Sequence, residues 1–515
     1  MKIISLILLF TAQSYAQTQF QVAVGSSSCD LVNSAIQTAD GGYAVCGYNQ
    51  FSRDMYIVKF GPEGNLQWTR KVGGAINEIA NSIVQTTDGN YVVCGYTLSF
   101  GAGNLDMYFV KLNSSGSVIW NKTVGGSAID NAVSIIQAQD GGSIAAGYTY
   151  SFGAGSADIF IVKLDSSGNL QWSKTIGGTG HDNAWSIIKT ADGGYILAGE
   201  TLSYGADDMF IVKLDSNFIL KWSRTIGGTD DDYANYIFQS SDGGYGVIGD
   251  SWVGAYSYIY AARLDSSGNI EWSNKYINSN DEYGYTMNQT SDGNFIIGGY
   301  SDHGQYYGCL FKLSPEGAVQ WGKILPCDCT RIMKTTDGGY VVAGSSNLAG
   351  AGCYDFCIVK YDSSWNSCQS LGQLVFTPLS YGTYSSPVPI ESSQTPVVTT
   401  PTPTTSTEGV VTNICTTVGV TNKEKEIPKD YNLYQNYPNP FNPTTNIKFD
   451  LPVENYVSLK IYDMLGREIA IIKSEQLKSG THEFVWNASN YPSGIYFYKL
   501  ISGDYAETKR MVIIK

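Results

Sequence analysis

Residues 134–178 read SIIQAQDGGSIAAGYTYSFGAGSADIFIVKLDSSGNLQWSKTIGG. Four short runs rich in apolar and β-branched residues are separated by three breaks. Asp140-Gly141-Gly142 favours a tight hairpin, because an Asp-Gly pair tolerates the positive φ such a turn needs. Asp165-Ser-Ser-Gly168 closes the third run onto the fourth by the same logic. The third run, Ile159 to Leu164, is apolar on both faces apart from Lys163, as expected of a strand buried on both sides. The segment therefore predicts four antiparallel strands in about 50 residues, the content of one propeller blade.

The pattern recurs along the chain. Asp-Gly turns begin at Asp40, Asp88, Asp140, Asp192, Asp242, Asp292 and Asp337, and the fourth run carries Trp68, Trp120, Trp172, Trp222, Trp272 and Trp321. Seven turns against six Trp strands leave one strand missing, and the last copy breaks off at IVKYDSSWNSC. Moving the N-terminus forward one period sets Phe20 on Trp68 and Ser34 on Ser82, so residues 18–24 read as an orphan fourth strand. We expect them to complete the seventh blade and remove two exposed sheet edges. The recurring Trp is expected to pack between blades. The fold class predicted is all-β: a seven-bladed β-propeller closed by an N-terminal strand, plus a small C-terminal immunoglobulin-like β-sandwich.

The phrase DIFIVKLDSSGNLQW at Asp158 to Trp172, followed by Gly-Gly-Thr, resembles the bacterial β-propeller repeat family often called SBBP. The resemblance covers residues 18 to 368 or so, and it implies the fold without a single activity.

The division expected is a signal peptide over 1–16, a propeller over 17–370, a linker over 371–429 and a sorting domain over 430–515. The opening MKIISLILLFTAQSYA combines Lys2, an apolar core and a Ser-Tyr-Ala end, as a secretory signal does. No later run reaches the length of a transmembrane helix. The tract TPVVTTPTPTTSTE over 395–408 is polar and Pro-rich, and is expected to be an extended spacer. The tail starts YNLYQNYPNPFNPTTNIKFDLP and ends KRMVIIK. It resembles the C-terminal sorting domain of the type IX secretion system through Asn436 to Pro443, Tyr462-Asp463, Gly466, Gly494, Tyr496 and Lys509 to Lys515. That resemblance implies export to the medium or the outer-membrane surface, with the type IX machinery as partner.

The chain has 515 residues, a net charge of −14 and 15% charged residues. An acidic surface repels phosphate backbones, which argues against nucleic acid. An exported chain permits disulfides among its ten cysteines. Cys46 and Cys94 hold matching repeat positions and are expected to be buried thiols. Cys29, Cys309, Cys327, Cys329, Cys353, Cys357 and Cys368 lie near the ends of the repeat region, where some pairing is expected around the closure. A zinc site at Cys327-Asp-Cys329 is the less favoured alternative.

Two series fall on the face bearing the blade-to-blade connections and the loops between second and third strands. One is acidic: Asp30, Glu78, Asp130, Asp182, Asp232 and Glu282. These carboxylates either ring a channel mouth, where they would attract a cation such as Ca2+ or a hydroxyl-rich ligand, or cap backbone N–H groups in their own turns. The other is aromatic: Phe51, Phe100, Phe152, Tyr204 and Tyr256. These rings either stack on a sugar or anchor their loops.

Catalytic signals are sparse. Of His181, His303 and His482, only His181, beside Asp182, joins a series. There is no nucleophile elbow, zinc-binding His pair or phosphate loop. The near-identical repeats single out no polar cluster. The expected function is binding or adhesion, recognising glycan or protein. A polysaccharide hydrolase or lyase and a structural envelope component are the alternatives.

Overall fold

The computed structural model describes residues 18–514 apart from 278–280, 303–305, 348–352, 368–376, 381–382, 386–389, 394–396, 400–403, 407–409, 419–429, 437–438 and 490. The proposed signal peptide, His303 and Cys368 lie outside the described residues. Every regular element among the described residues is a strand, and the chain divides into two units, Met1–Val418 and Gly419–Lys515.

The first unit is a β-propeller. It holds seven sheets, six of them built on four consecutive antiparallel strands and the seventh on three consecutive strands plus the first strand of the chain. The third, for example, runs Asp130–Gln137, Ser143–Thr149, Asp158–Leu164 and Leu170–Gly177. The Asp-Gly glycines have positive φ throughout, as at Gly141 (81°), which is the conformation the hairpins required. Each sheet packs on the next, and Asp30–Gln37 of the first packs on Arg331–Lys334 and Tyr340–Ser346 of the seventh, so the cycle closes.

The orphan strand does what its register predicted. Thr18–Gly25 pairs antiparallel with Asp355–Tyr361, with Gln21 opposite Val359 and Val24 opposite Phe356. Phe20 is fully buried and lies against Gly64 in the Glu-Gly turn of the next sheet, as Trp68 lies against Gly116 and Trp120 against Gly168. At two junctions the glycine is replaced by an aromatic residue that keeps a positive φ. Phe218 (61°) packs on Trp172, and Trp365 (63°) packs beside Trp321. The Trp Nε1 of Trp68 and Trp120 donates to Ser114 O and Ser166 O, at 3.0 and 3.2 Å. A disulfide between Cys29 and Cys353, 324 residues apart, joins the first and last copies. Cys46, Cys94, Cys309, Cys327, Cys329 and Cys357 are buried free thiols.

The segment expected to be a linker carries six strands among its described residues. Thr377–Ser380, Thr383–Ser385, Ile390–Ser393, Val397–Thr399, Thr404–Ser406 and Val410–Val418 each add an antiparallel strand to an outer sheet edge. They take the fifth, fourth, third, second, first and seventh sheets in that order. The segment thus runs around the rim against the direction of the copies. Its composition cannot build a core, but an existing edge supplies the missing hydrogen-bond partners, and Thr and Val suit strand conformation. Pro378 is tolerated because an edge strand has N–H groups that need no partner.

The second unit consists of a three-stranded sheet (Asn432–Leu433, Thr444–Leu451, Gly480–Asn487) and a four-stranded one ordered Glu468–Leu477, Asn455–Tyr462, Gly494–Ser502, Tyr505–Ile513. They share one core that includes Phe441, Phe449, Leu459, Trp486, Tyr498 and Ile513. Asn439 and Phe441 of the Asn-Pro-Phe motif clamp the last strand. Phe441 N donates to Val512 O (3.0 Å), Ile514 N to Phe441 O (3.0 Å) and Val512 N to Asn439 Oδ1 (2.8 Å).

Candidate functional site

The inner strand of each of the first six sheets carries a β-bulge at one equivalent residue: Asn33, Asn81, Val133, Trp185, Asn235 and Tyr285. A bulge re-aims the side chain of the extra residue, and these six line a central cavity of about 380 Å3 together with Thr330 of the seventh sheet. Where the residue is Asn it serves the ring, since Asn33 and Asn81 donate to Ala80 O and Ala132 O of the next sheet, both at 2.9 Å. Val133, Trp185 and Tyr285 break that pattern.

A second equivalent position sits eight residues after each turn Asp. It reads Tyr48, Tyr96, Tyr148, Glu200, Asp250, Tyr300 and Ser345. Two carboxylates thus replace tyrosine in adjacent sheets. Glu200 accepts from Trp185 Nε1 (2.9 Å) and Asn183 Nδ2 (2.7 Å). Asp250 accepts from Asn235 Nδ2 (2.8 Å) and Gly284 N (2.6 Å). A third carboxylate, Asp328, lines the cavity near Thr330 and accepts from its hydroxyl at 3.3 Å. Burial pushes all three carboxyls up to about 7, so each is substantially protonated near neutrality. Arg331 sits where other copies have Ser34, Ser82, Ser134 and Ser186, and its guanidinium lies 4.7 Å from the Tyr236 ring centroid.

Aromatic rings gather beside Glu200. Trp185 meets Tyr148 edge-on, and Tyr148 meets the exposed Tyr150 in the same way. Tyr150 OH and His181 Nδ1 are 3.2 Å apart, and His181 Nε2 is 2.6 Å from Asn183 Nδ2. That amide donates, so Nε2 accepts and His181 is neutral, in line with the burial that lowers its pKa.

The acidic series takes a different place from a channel ring. Asp30, Glu78, Asp130, Asp182, Asp232 and Glu282 are all buried. The first five accept the backbone N–H four residues earlier, Gly126 N to Asp130 and Gly178 N to Asp182 both at 2.7 Å. Their order comes from closing their own turns. The aromatic series divides. Phe100, Phe152 and Tyr204 pack on Tyr108, Phe160 and Phe210 beneath their loops, whereas Phe51 and Tyr256 are 90% and 56% exposed. The structure does not bring either series together as one surface cluster. Among the described residues no three His, Cys, Asp or Glu side chains converge as a metal centre, the Cys327–Cys329 pair included.

The sequence reading found no distinctive polar cluster, yet Trp185, Glu200, Asp250, Tyr285, Asp328 and Arg331 form one around the channel. For Trp185, Tyr285, Glu200 and Asp250 the signal lay in two columns of the repeat, seven residues before and eight after each turn Asp, where the copies disagree; Asp328 and Arg331 fall outside both columns, in the divergent seventh copy.

Residues 435–515 match the secretion system C-terminal sorting domain. The chain carries a type IX sorting tail behind a β-propeller. It is therefore a protein secreted or held at the cell surface, and its tail engages the type IX machinery. Residues 86–118 match a β-propeller domain of unknown function, DUF5122. No curated protein matches the chain. Similar solved structures include a Bacteroides caccae protein of unknown function (14% identity, 50% of this chain and 94% of that one, TM-score 0.31). PorZ, a surface component of the type IX system of Porphyromonas gingivalis, is 12% identical over 96% of this chain and 75% of its own, with TM-score 0.33. Sqt1 of Chaetomium thermophilum is 9% identical over 67% and 98%, with TM-score 0.39. No helix among the described residues is long and apolar enough to cross a membrane.

Proposed function

We propose that this exported protein is a seven-bladed binding propeller, followed by an immunoglobulin-like sorting domain, that takes a carbohydrate at the channel mouth between its third and fourth sheets. One observation carries the reading: Tyr150, Trp185 and His181, at positions where the repeat is broken, group with Tyr148 around Glu200. Aromatic faces stack on the apolar side of a sugar ring, and a fixed polar group orients its hydroxyls. Since the other copies build the ring without Tyr150, Trp185, His181 and Glu200, closing the ring does not account for those four.

The test is a glycan array with the secreted protein, followed by calorimetry on the best ligand. Trp185→Ala is expected to weaken binding at least tenfold, and Phe51→Ala, on an exposed loop, to leave it unchanged. A blank array, or equal affinity for the Trp185 variant, rejects the site. The three carboxyls held near 7 favour one second reading, a polysaccharide hydrolase or lyase using one of them as general acid. Turnover on a polysaccharide panel that is lost in Glu200→Gln or Asp250→Asn would establish it in place of simple binding.

A further inference from the structure

Most of the buried acidic series is half of a set of pairs. The carboxylate that opens an inner strand faces another that opens the third strand of the preceding sheet: Asp130 faces Asp106, Asp182 faces Asp158, and Asp232 faces Asp208, as Asp30 faces Asp355 across the closure, where the Lys71 charge acts on Asp30. The glycine ending the intervening outer strand leaves room for both. A β-carbon on Gly125 would stand 1.9 Å from Asp106 Oδ1 and 2.9 Å from Asp130 Oδ2. The corresponding distances are 2.0 and 2.8 Å at Gly177, and 1.9 and 2.8 Å at Gly227. The paired oxygens are therefore less than about 5 Å apart, the span of a Ca2+ ion with ligands at roughly 2.3–2.6 Å on either side.

Two buried carboxylates this close need compensation. One junction shows what form it takes. Between the first and second sheets the pair is Asp54 and Glu78, and Lys71 Nζ lies 4.0 Å from Asp54. Lys71 stands two residues before the strand-ending Gly73. At the next three junctions that place holds Thr123, Thr175 and Thr225, which carry no charge. The carboxylates remain and the amine does not.

A second observation points to what replaces it. Asp106 is 1% exposed, and its Oδ2 takes the Gly103 N–H at 3.1 Å, but its Oδ1 accepts no hydrogen bond. That oxygen is the one directed at Asp130, whose own oxygens take Gly126 N, Thr149 Oγ1 and Ser151 Oγ. A solvent-excluded carboxylate oxygen aimed at another carboxylate lacks a positive partner.

We propose that the junctions Asp106/Asp130, Asp158/Asp182 and Asp208/Asp232 each hold a Ca2+ ion that ties neighbouring sheets together. The candidate ligands are oxygen, two carboxylates with Thr and Ser hydroxyls beside them at the second and third junctions' Asp130 and Asp182, which is the hard ligand type of calcium and not the His/Cys set of zinc. The ions do at three junctions what the Lys71 amine does at the first. The proposal is independent of what the channel binds.

The test uses the full secreted chain, stripped with EGTA, exchanged into metal-free buffer at pH 7.5 and titrated with CaCl2 by calorimetry, with bound metal counted by mass spectrometry. Uptake of three equivalents and a higher melting temperature are expected. Asp106→Asn is expected to lose one equivalent. Because replacing a buried carboxylate can itself disturb folding, Thr123→Lys serves as the second variant. It restores the Lys71 arrangement and is expected to keep the circular dichroism of the native protein while also losing one equivalent. No uptake at millimolar calcium, or full uptake by Thr123→Lys, overturns the proposal. So does a melting temperature that ignores EGTA yet climbs on acidification, which would mean that each pair shares a proton instead.

Discussion

Lys163 Nζ lies 2.8 Å from the carboxylate of Asp140, joining the buried third strand of a sheet to the hairpin turn that begins its second. The arrangement recurs in every sheet, as Lys59–Asp40, Lys111–Asp88, Lys213–Asp192, Arg263–Asp242, Lys312–Asp292 and Lys360–Asp337. The Lys163 side chain is 8% exposed and that of Asp140 is 51% exposed, so the two partners are not equivalent. Asp140→Ala strands a buried ammonium and is expected to cost on the order of 2 kcal/mol. Lys163→Met leaves a carboxylate that still accepts Gly142 N at 3.0 Å, and should cost less. Urea unfolding of the two variants checks the order.

Stability should peak in mild acid. The hydrogen bond from Lys163 holds Asp140, and that from Arg263 holds Asp242, below the usual carboxylate value. Such groups stabilise the fold above about pH 4 and lose that contribution as pH falls further. Burial raises Glu200, Asp250 and Asp328 to about 7. Their contribution is complete below the ordinary carboxylate range and is lost as pH rises through about 7. In chelator, the melting temperature at pH 5 is expected to exceed those at both pH 3 and pH 8.

Phe20→Ala tests the closure of the ring. Phe20 is fully buried against Tyr43 and the Gly64 turn, and it belongs to the strand that completes the seventh sheet. Its truncation is expected to destabilise the propeller by about 3–4 kcal/mol, as for a buried Phe elsewhere. Denaturant titration reads this. A loss below 1 kcal/mol would mean that the first strand contributes little to closure.

Removing residues 371–418 uncovers the outer edges of six sheets. Unpaired edges template association between chains. The deleted protein is expected to elute in size-exclusion chromatography as oligomers or aggregate, and to be cut faster by protease. An unchanged monomer peak would show that the rim strands are dispensable.

The repeat made the propeller legible. The Asp-Gly turns fixed the copy length, and the mismatch between seven turns and six Trp strands located the closing segment at Phe20, because hairpin chemistry and aromatic packing are local and repeat with the sequence. The tail was equally readable through Asn436 to Pro443. The candidate site was not, because a repeat displays the positions that most copies share. Asp130 and Phe152 recur because the ring needs them, whereas Trp185, Glu200 and Asp328 matter only where inner strands converge on one axis.

The sequence alone determined the strand count of each copy, the turns, the seventh strand's distant origin and the export address, all of which follow from short-range pattern. Tertiary structure decided the rest. It buried most of the acidic series in facing pairs, put Asp328 in the lining of one cavity with Glu200 and Asp250 bonded to the lining residues Trp185 and Asn235, and paired short strands of the segment after the propeller with the outer sheet edges. Each outcome depends on groups that lie far apart in the chain and meet only when the sheets close into a cycle. Their low-dielectric surroundings and their hydrogen-bond partners exist only in that assembled state.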